Sequence, residues 1–589
     1  MPIARPRRPM RSAAAAPDLR WRWVALATLL LLASAWVLAA PALAEKVLRR
    51  GNLQEPYSLD PHHTTALAEA DILGELFLGL YTEAANGDPI LGAAESAETS
   101  SDGLKWTFKI RDHKWSDGSP VTSDDFLFSF QRIFSPKTAA EYVNVLYPIK
   151  NSEAIATGKM PLDKLGVSAP DPKTLIIELE HPAPYLPELL MHQTAFPIKR
   201  ALFAQHETDF TKPGVMLANG PYVLSEWRPH DHIKLVKNQQ FYDAANVKID
   251  AIIFFPIDDD LAALKKYRAG ELDTQDRYPI AMREWIKKNI PNEVHQATAL
   301  WSQYMSFNSR RKPFDDVRVR KALAMAIDRK AIAEEVLSGS YGEPATNVLP
   351  PGTANADRTA AVEWADKTME ERRAEAKRLL AAAGFAAGHP LRFTYNYSTN
   401  TDNRRIAVAM QSMWKDVGVE AEIEARESKV HQKLLQARDF DVAGDGWILD
   451  YNDAKNQLYL FQSSTTEMNY ASYHSAAFDA LLVKADSEPD KAARAKILGD
   501  ASALLLTDMP VSPSFFPYQR QLVKPYVTGW VTNPKRINRT RWLDIAEHVA
   551  TTEGDVSSGG ASVSSDGGGF WGWLGSWFST EAWSKWWNS

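Results

Sequence analysis

Apolar and polar positions alternate in short bursts along this chain, and the strand and helix periods follow one another repeatedly. In Trp106-Thr107-Phe108-Lys109-Ile110 the apolar residues fall on every second position, so Trp106, Phe108 and Ile110 share one face of an extended strand. Lys173-Thr174-Leu175-Ile176-Ile177-Glu178-Leu179 reads similarly. Between Trp115 and Phe126 a turn is expected at Asp117-Gly118, and Thr122-x-x-Asp125 ahead of an apolar run is the capping-box pattern that opens a helix. Three- and four-residue spacing predicts further helices over 317–327, 370–383 and 406–417. In the second of these, Ala376, Leu379, Leu380 and Ala383 form the inward face, and Gly384 stands where a C-terminal cap belongs. No internal repeat is visible, and the mixture predicts an α/β architecture.

Apolar residues make up 45% of the 589-residue chain, which permits a large interior, and the length exceeds what one core holds, so two or more lobes are expected. The formal charge of −6, with both signs interspersed, lacks the basic face that nucleic acid requires, so no nucleic-acid partner is expected. Without cysteine there are no disulfides, thiolate chemistry or cysteine zinc site, and no cysteine on which to build a lipid anchor. Arginines crowd the first 22 residues, an uncharged apolar run extends from Trp23 to Ala40, and Ala42-Leu43-Ala44 precedes Glu45. This is the pattern of a cleaved export signal spanning residues 1–44. A retained membrane anchor is the alternative that the length of the run leaves open, and Pro41 with the small-x-small site favours cleavage.

The candidate chemistry lies in Gly446-Trp447-Ile448-Leu449-Asp450-Tyr451-Asn452-Asp453, where a carboxylate follows apolar residues and stands beside aromatic ones. An unpaired carboxylate away from water costs several kcal/mol or takes up a proton, so a cation must reach Asp450, from the protein as an internal salt bridge or from a ligand.

The segment resembles the Trp-x-x-Asp-Tyr-Asn stretch of periplasmic oligopeptide-binding proteins, the solute receptors of peptide ABC transporters. The similarity runs in order through Ser58-Leu59-Asp60-Pro61-His62, Lys105-Trp106-Thr107-Phe108, Lys114-Trp115-Ser116-Asp117-Gly118, Asn219-Gly220-Pro221-Tyr222 and Pro313-Phe314-Asp315-Asp316-Val317-Arg318, and covers residues 47 to about 545. It implies a periplasmic-binding-protein-like (type II) two-lobe clamshell with an additional smaller subdomain. The implied limits are 45–77 with 202–305 and 520–550 for lobe I, 78–201 for the extra subdomain and 306–519 for the remaining lobe, with strands crossing between lobes as hinges. It further implies a periplasmic, monomeric receptor that hands oligopeptides to inner-membrane ABC permease subunits. Asp450 would hold the peptide's α-ammonium group, with Trp447 and Tyr451 lining the first side-chain pocket and Tyr142 opposing them. Ordinary core packing is the alternative for Trp447 and Tyr451.

At the other end of the ligand the chain departs from the family pattern. Positions where well-known members place cations for the peptide carboxylate hold Gly444, Asn403 and a residue at or near Leu337-Ser338, none of them positive. Arg404, Arg405, Lys429, Lys433 and Arg438 lie nearby in sequence and read as solvated surface charges. A longer peptide, or a modified or murein-derived one, suits this pattern; nickel or haem are more distant ligands.

No catalytic residue, metal or cofactor is assigned. His230-Asp231-His232 is expected to place two histidines on one face of a surface strand without a third ligand, and His62-His63 is no stronger. Ser338-Gly339-Ser340-Tyr341-Gly342 approaches a nucleophile elbow but lacks its first glycine, so a serine hydrolase is a remote alternative. Residues 551–569 have the composition of a Gly/Ser linker, and 570–589 form a tail bearing Trp571, Trp573, Trp577, Trp583, Trp586 and Trp587. Tryptophan favours the water–hydrocarbon boundary, which suggests weak membrane association; a partner-docking peptide and a flap onto the chain itself are the alternatives.

Overall fold

A single 13-residue strand, Val511–Val523, ties the architecture together. The computed structural model describes residues 45–466 and 468–546. The first part of this strand pairs antiparallel with Trp301–Phe307, its later part with Val294–Thr298, and its last two residues with Thr274–Gln275. It lies inside a twelve-stranded sheet. On one side the order continues through Trp301–Phe307, Val442–Ile448, Arg392–Ser398 and Glu420–Arg426; on the other it runs through Thr274–Gln275, Val47–Asn52, Ala251–Pro256, His232–Lys237 and Tyr222–Arg228. A separate antiparallel sheet is ordered Ala94–Thr99, Lys105–Ile110, Thr174–Glu178, Val167–Asp171.

There are two large apolar cores, and the long strand contributes Val511 and Phe515 to the first of them. One gathers residues from Tyr304 to Phe515, with Trp364 and Trp414 fully buried, and the other gathers residues from Leu59 to Phe254, with Trp115 fully buried. Lys105–Ile110 turns Phe108 and Ile110 fully inward and leaves Trp106 half-buried. Gly118 adopts φ +84°, the left-handed turn that its sequence context requires. The Asp125 carboxylate accepts the Thr122 N–H at 2.9 Å and so caps the helix Ser123–Phe134. The helix Met369–Ala382 buries Ala376 and Leu380, with Leu379 and Ala383 packed partly against the same core.

Two expectations change. The helix expected over 406–417 spans Thr401–Asp416, because the Asn400 side chain caps it at the Asn403 N–H, 2.7 Å away, and its first turn is polar and carries no periodicity. His230 and His232 do not share a strand face: His230 sits in the hairpin turn at φ +63°, and the strand begins at His232, opposite Arg228.

Candidate functional site

The strand Val442–Ile448 and the loop that follows it carry most of the candidate residues, which fall in two groups. Beyond its end, a short loop leads to the helix Ala454–Leu458, which Asp453 caps through the Lys455 N–H at 2.9 Å. Asp453 is fully buried and bound bidentately by Arg494, at 2.7 and 2.9 Å, with Asn355 Nδ2 adding a third donor at 2.8 Å. That pair anchors the loop.

Asp450, three residues earlier, is treated oppositely. It is half-buried and has no ion-pair partner among the described residues. The Tyr142 hydroxyl donates to its Oδ1, and its backbone N–H donates to Asn456 Oδ1 at 3.1 Å. Burial pushes the Asp450 carboxyl up to about 6, with the bond from the Tyr142 hydroxyl offsetting part of that rise. The nearby ring of His192, 5.4 Å from that of Tyr142, cannot serve as the missing cation, because burial lowers its pKa to about 4. The Tyr142 hydroxyl is itself pushed well up, by burial first and by the Asp450 charge next, and so remains a donor.

Trp447 is half-buried against the Tyr304–Phe515 core, and its indole N–H donates to Asn456 Oδ1 at 2.9 Å. Tyr451 packs instead against the Leu59–Phe254 core, where its ring stacks on Tyr185 with centroids 4.9 Å apart and 12° between planes. Asn456, fully buried, accepts from both Trp447 and Asp450 and leaves its own Nδ2 unpartnered. Sequence reasoning missed it; the signal was the Asp453 cap, which opens the short helix that carries it.

Gly444 and Asn403 form the second group, around a cavity of about 220 Å³ that Asp450 does not line. A Cβ on Gly444 would stand 2.9 Å from the Tyr395 hydroxyl, so that hydroxyl fills the space a side chain at 444 would take. Asn403 is committed locally, donating to the Ser398 carbonyl at 2.9 Å. Leu337 is buried, while the Ser338 carbonyl accepts from Arg283, a cation from a distant segment that the sequence did not single out. Arg404, Arg405, Lys429 and Lys433 are exposed, and Arg438 donates to the Gln436 and Thr466 carbonyls.

The remaining chemical candidates have structural partners. His62 is buried between Arg132 and Ser129, and the Ser340 hydroxyl donates to the Leu337 carbonyl at 2.9 Å. Among the described residues no group of three His, Asp or Glu is placed to hold a metal ion. The export signal, the linker and the tryptophan-rich tail lie outside the described residues.

Comparison with known proteins places this geometry in a family context. The profile of the bacterial extracellular solute-binding proteins, family 5 Middle, matches residues 88–469. The periplasmic oligopeptide-binding protein OppA of Escherichia coli (strain K12) is 36% identical over 517 residues, 87% of this chain and 94% of that one. Among solved structures, the murein tripeptide-binding protein MppA of Escherichia coli superposes with a TM-score of 0.74 at 34% identity, over 86% of this chain and 99% of that one. OppA of Haemophilus influenzae in complex with the peptide RPPGFSPFR gives 0.72 at 30% identity, over 86% and 99%.

Proposed function

Because the chain belongs to the bacterial extracellular solute-binding proteins of family 5, with their two-lobe type II fold, we propose that it is a periplasmic receptor for oligopeptides. It captures them through the free amino terminus and the backbone and delivers them to the permease subunits of an inner-membrane ABC importer, as a monomer and without catalysis of its own. The observation that carries this reading is the contrast between neighbouring carboxylates: Asp453 is neutralised by Arg494, while Asp450 faces Tyr142 with no cation of its own among the described residues. A receptor for peptides of many sequences gains affinity from what all peptides share, and the ammonium group is the one charge certain to arrive at the amino end. Trp447 and Tyr451 border that position, with the lobe limits given above and the long strand Val511–Val523 as a hinge element. Native mass spectrometry of protein purified from its own periplasm tests this: intact peptides are expected to be carried, and a uniformly peptide-free or metal-loaded protein contradicts it.

A murein-derived peptide is the second reading, favoured by the lack of any lysine or arginine among the described residues that line the Gly444 and Asn403 cavity and by the likeness to a murein tripeptide receptor. The mass of the bound species separates the two.

The pH dependence follows from the Asp450 environment. In the ligand-free protein its carboxyl titrates near 6, above the ordinary 3.8, so holding the proton contributes stability in full below the unfolded value, and this is lost as pH rises through about 6. An ammonium ligand needs the charged form. Affinity for a free-amine peptide is therefore expected to be highest near pH 7, to fall below 6, approaching tenfold per pH unit for one coupled proton, and to decline again as the peptide's α-amino group, with an ordinary pKa of about 7.7–8.0, loses its charge. Titration calorimetry from pH 5 to 8 checks this, and constant affinity across that range contradicts it.

For the tail, weak membrane association is the favoured role. Its one cation, Lys585, is offset in the sequence by one acid, Glu581, so attraction to anionic lipid is slight and tethering is mainly hydrophobic. Truncation after Glu553 is expected to leave peptide affinity intact and to reduce liposome co-sedimentation; equal sedimentation removes this role.

A further inference from the structure

The strand Val442–Ile448 carries another carboxylate without a cation among the described residues, and this one lines the cavity of about 220 Å³. Asp445 stands opposite Tyr304 in the register with Trp301–Phe307, so the two side chains are neighbours on one sheet face. Its oxygens accept from Ser306 Oγ at 2.7 Å and from the Gly446 N–H at 2.8 Å, both uncharged donors. Among the described residues no lysine or arginine lines the cavity, and Asp445 is the one acid that does.

A second acceptor lies in the same wall. His431 is 5% exposed, and its Nε2 is 2.7 Å from the Gly444 carbonyl oxygen, which can only accept. Nε2 therefore carries the proton and Nδ1 is a bare lone pair, which is buried and has no partner. Burial holds the ring's pKa down and keeps it neutral. Trp301, Tyr304, Tyr395 and Phe515 supply aromatic walls. Gly446 adds no side chain, and a Cβ there would stand 2.9 Å from the Ser302 carbonyl oxygen. Negative charge, an idle acceptor and ring faces together suit a cation rich in N–H groups.

We propose that this cavity is a specificity pocket for a basic side chain of the bound peptide, with Asp445 accepting from a lysine or arginine head group. The proposal rests on the peptide-receptor reading above. Asp445 and Asp450 are five positions apart in the chain, at most about 17 Å of extended backbone, so in an extended cargo whose amino terminus sits at Asp450 the basic residue falls no further than about position six.

The test is calorimetry on the full chain with alanine hexapeptides that carry lysine, or its uncharged analogue norleucine, at one position from two to six. Lysine is expected to bind about tenfold or more tighter than norleucine at one position at least, and Asp445→Asn should erase that difference. Parity at every position overturns the proposal, as does a preference that survives D445N; the comparison in the parent protein decides even should the variant fold poorly. Cadaverine alone binding as tightly as the lysine peptide would assign the cavity to free amines and overturn it as well. If hexa-alanine binds and parity is found, this inference alone fails. If neither hexa-alanine nor any lysine peptide binds, the peptide-receptor reading fails and takes the inference with it.

Discussion

Asp450→Ala is expected to abolish high-affinity binding of free-amine peptides while the fold survives. In a closed, dry site, removing one partner of a charge pair costs about 3–5 kcal/mol, on the order of a hundred- to several-thousand-fold in affinity. The fold should tolerate the change because no cation of the chain depends on Asp450 among the described residues; the Tyr142 hydroxyl loses its acceptor, and the backbone N–H keeps its bond to Asn456. A charge that burial already disfavours is being removed, so the ligand-free variant should melt at or slightly above the parent's temperature. Calorimetry with thermal denaturation reads both parts. Undiminished affinity would take Asp450 out of the binding site, and a collapse in melting temperature would make it a structural residue.

The opposite result is expected three residues on. Arg494→Met should destabilise the protein by about 3–5 kcal/mol, since it leaves Asp453 charged and buried with its bidentate partner gone. The loss propagates to function through geometry: Asp453 caps the Ala454–Leu458 helix that carries Asn456, and Asn456 holds the Asp450 backbone. Peptide affinity should therefore fall along with the denaturation midpoint. Combining the change with Asp453→Asn removes the orphaned charge and should recover part of the stability but not the loop's anchoring. A midpoint unchanged in the single variant would show that the pair contributes nothing net.

Much of the scaffold was legible in the sequence because local signals and tertiary packing agree there. Alternation places Phe108 and Ile110 in the core as expected, and the Thr122 to Asp125 box opens its helix. The beginning of Thr401–Asp416 was hidden because residues 401–405 are polar and only the Asn400 cap marks it. The strand Val511–Val523 resisted reading for a different reason: it contains Pro513 and Pro517, residues that usually argue against a strand interior, and its pairing with distant partners tolerates them. His230 was misplaced because alternation cannot see the left-handed turn that a hairpin imposes.

The site divides along the same line. Asp450 and its aromatic neighbours could be singled out from residue types, but whether a cation of the chain reaches a carboxylate is a question of three-dimensional packing. The chain answers it oppositely for Asp450 and Asp453. Asn456 carries no pattern of its own, and Asp445 sits between two glycines in a run that suggests flexibility until the strand pairing is known.

The account turns on the charge that Asp450 meets when cargo arrives, and the most direct measurement compares one peptide in two forms, with a free amino terminus and with that terminus acetylated, by calorimetry on the parent protein at pH 7.5. The free form should bind at least a hundredfold more tightly, because acetylation removes the cation and leaves the carboxylate unpaired. Equal affinity for the two forms would contradict the account.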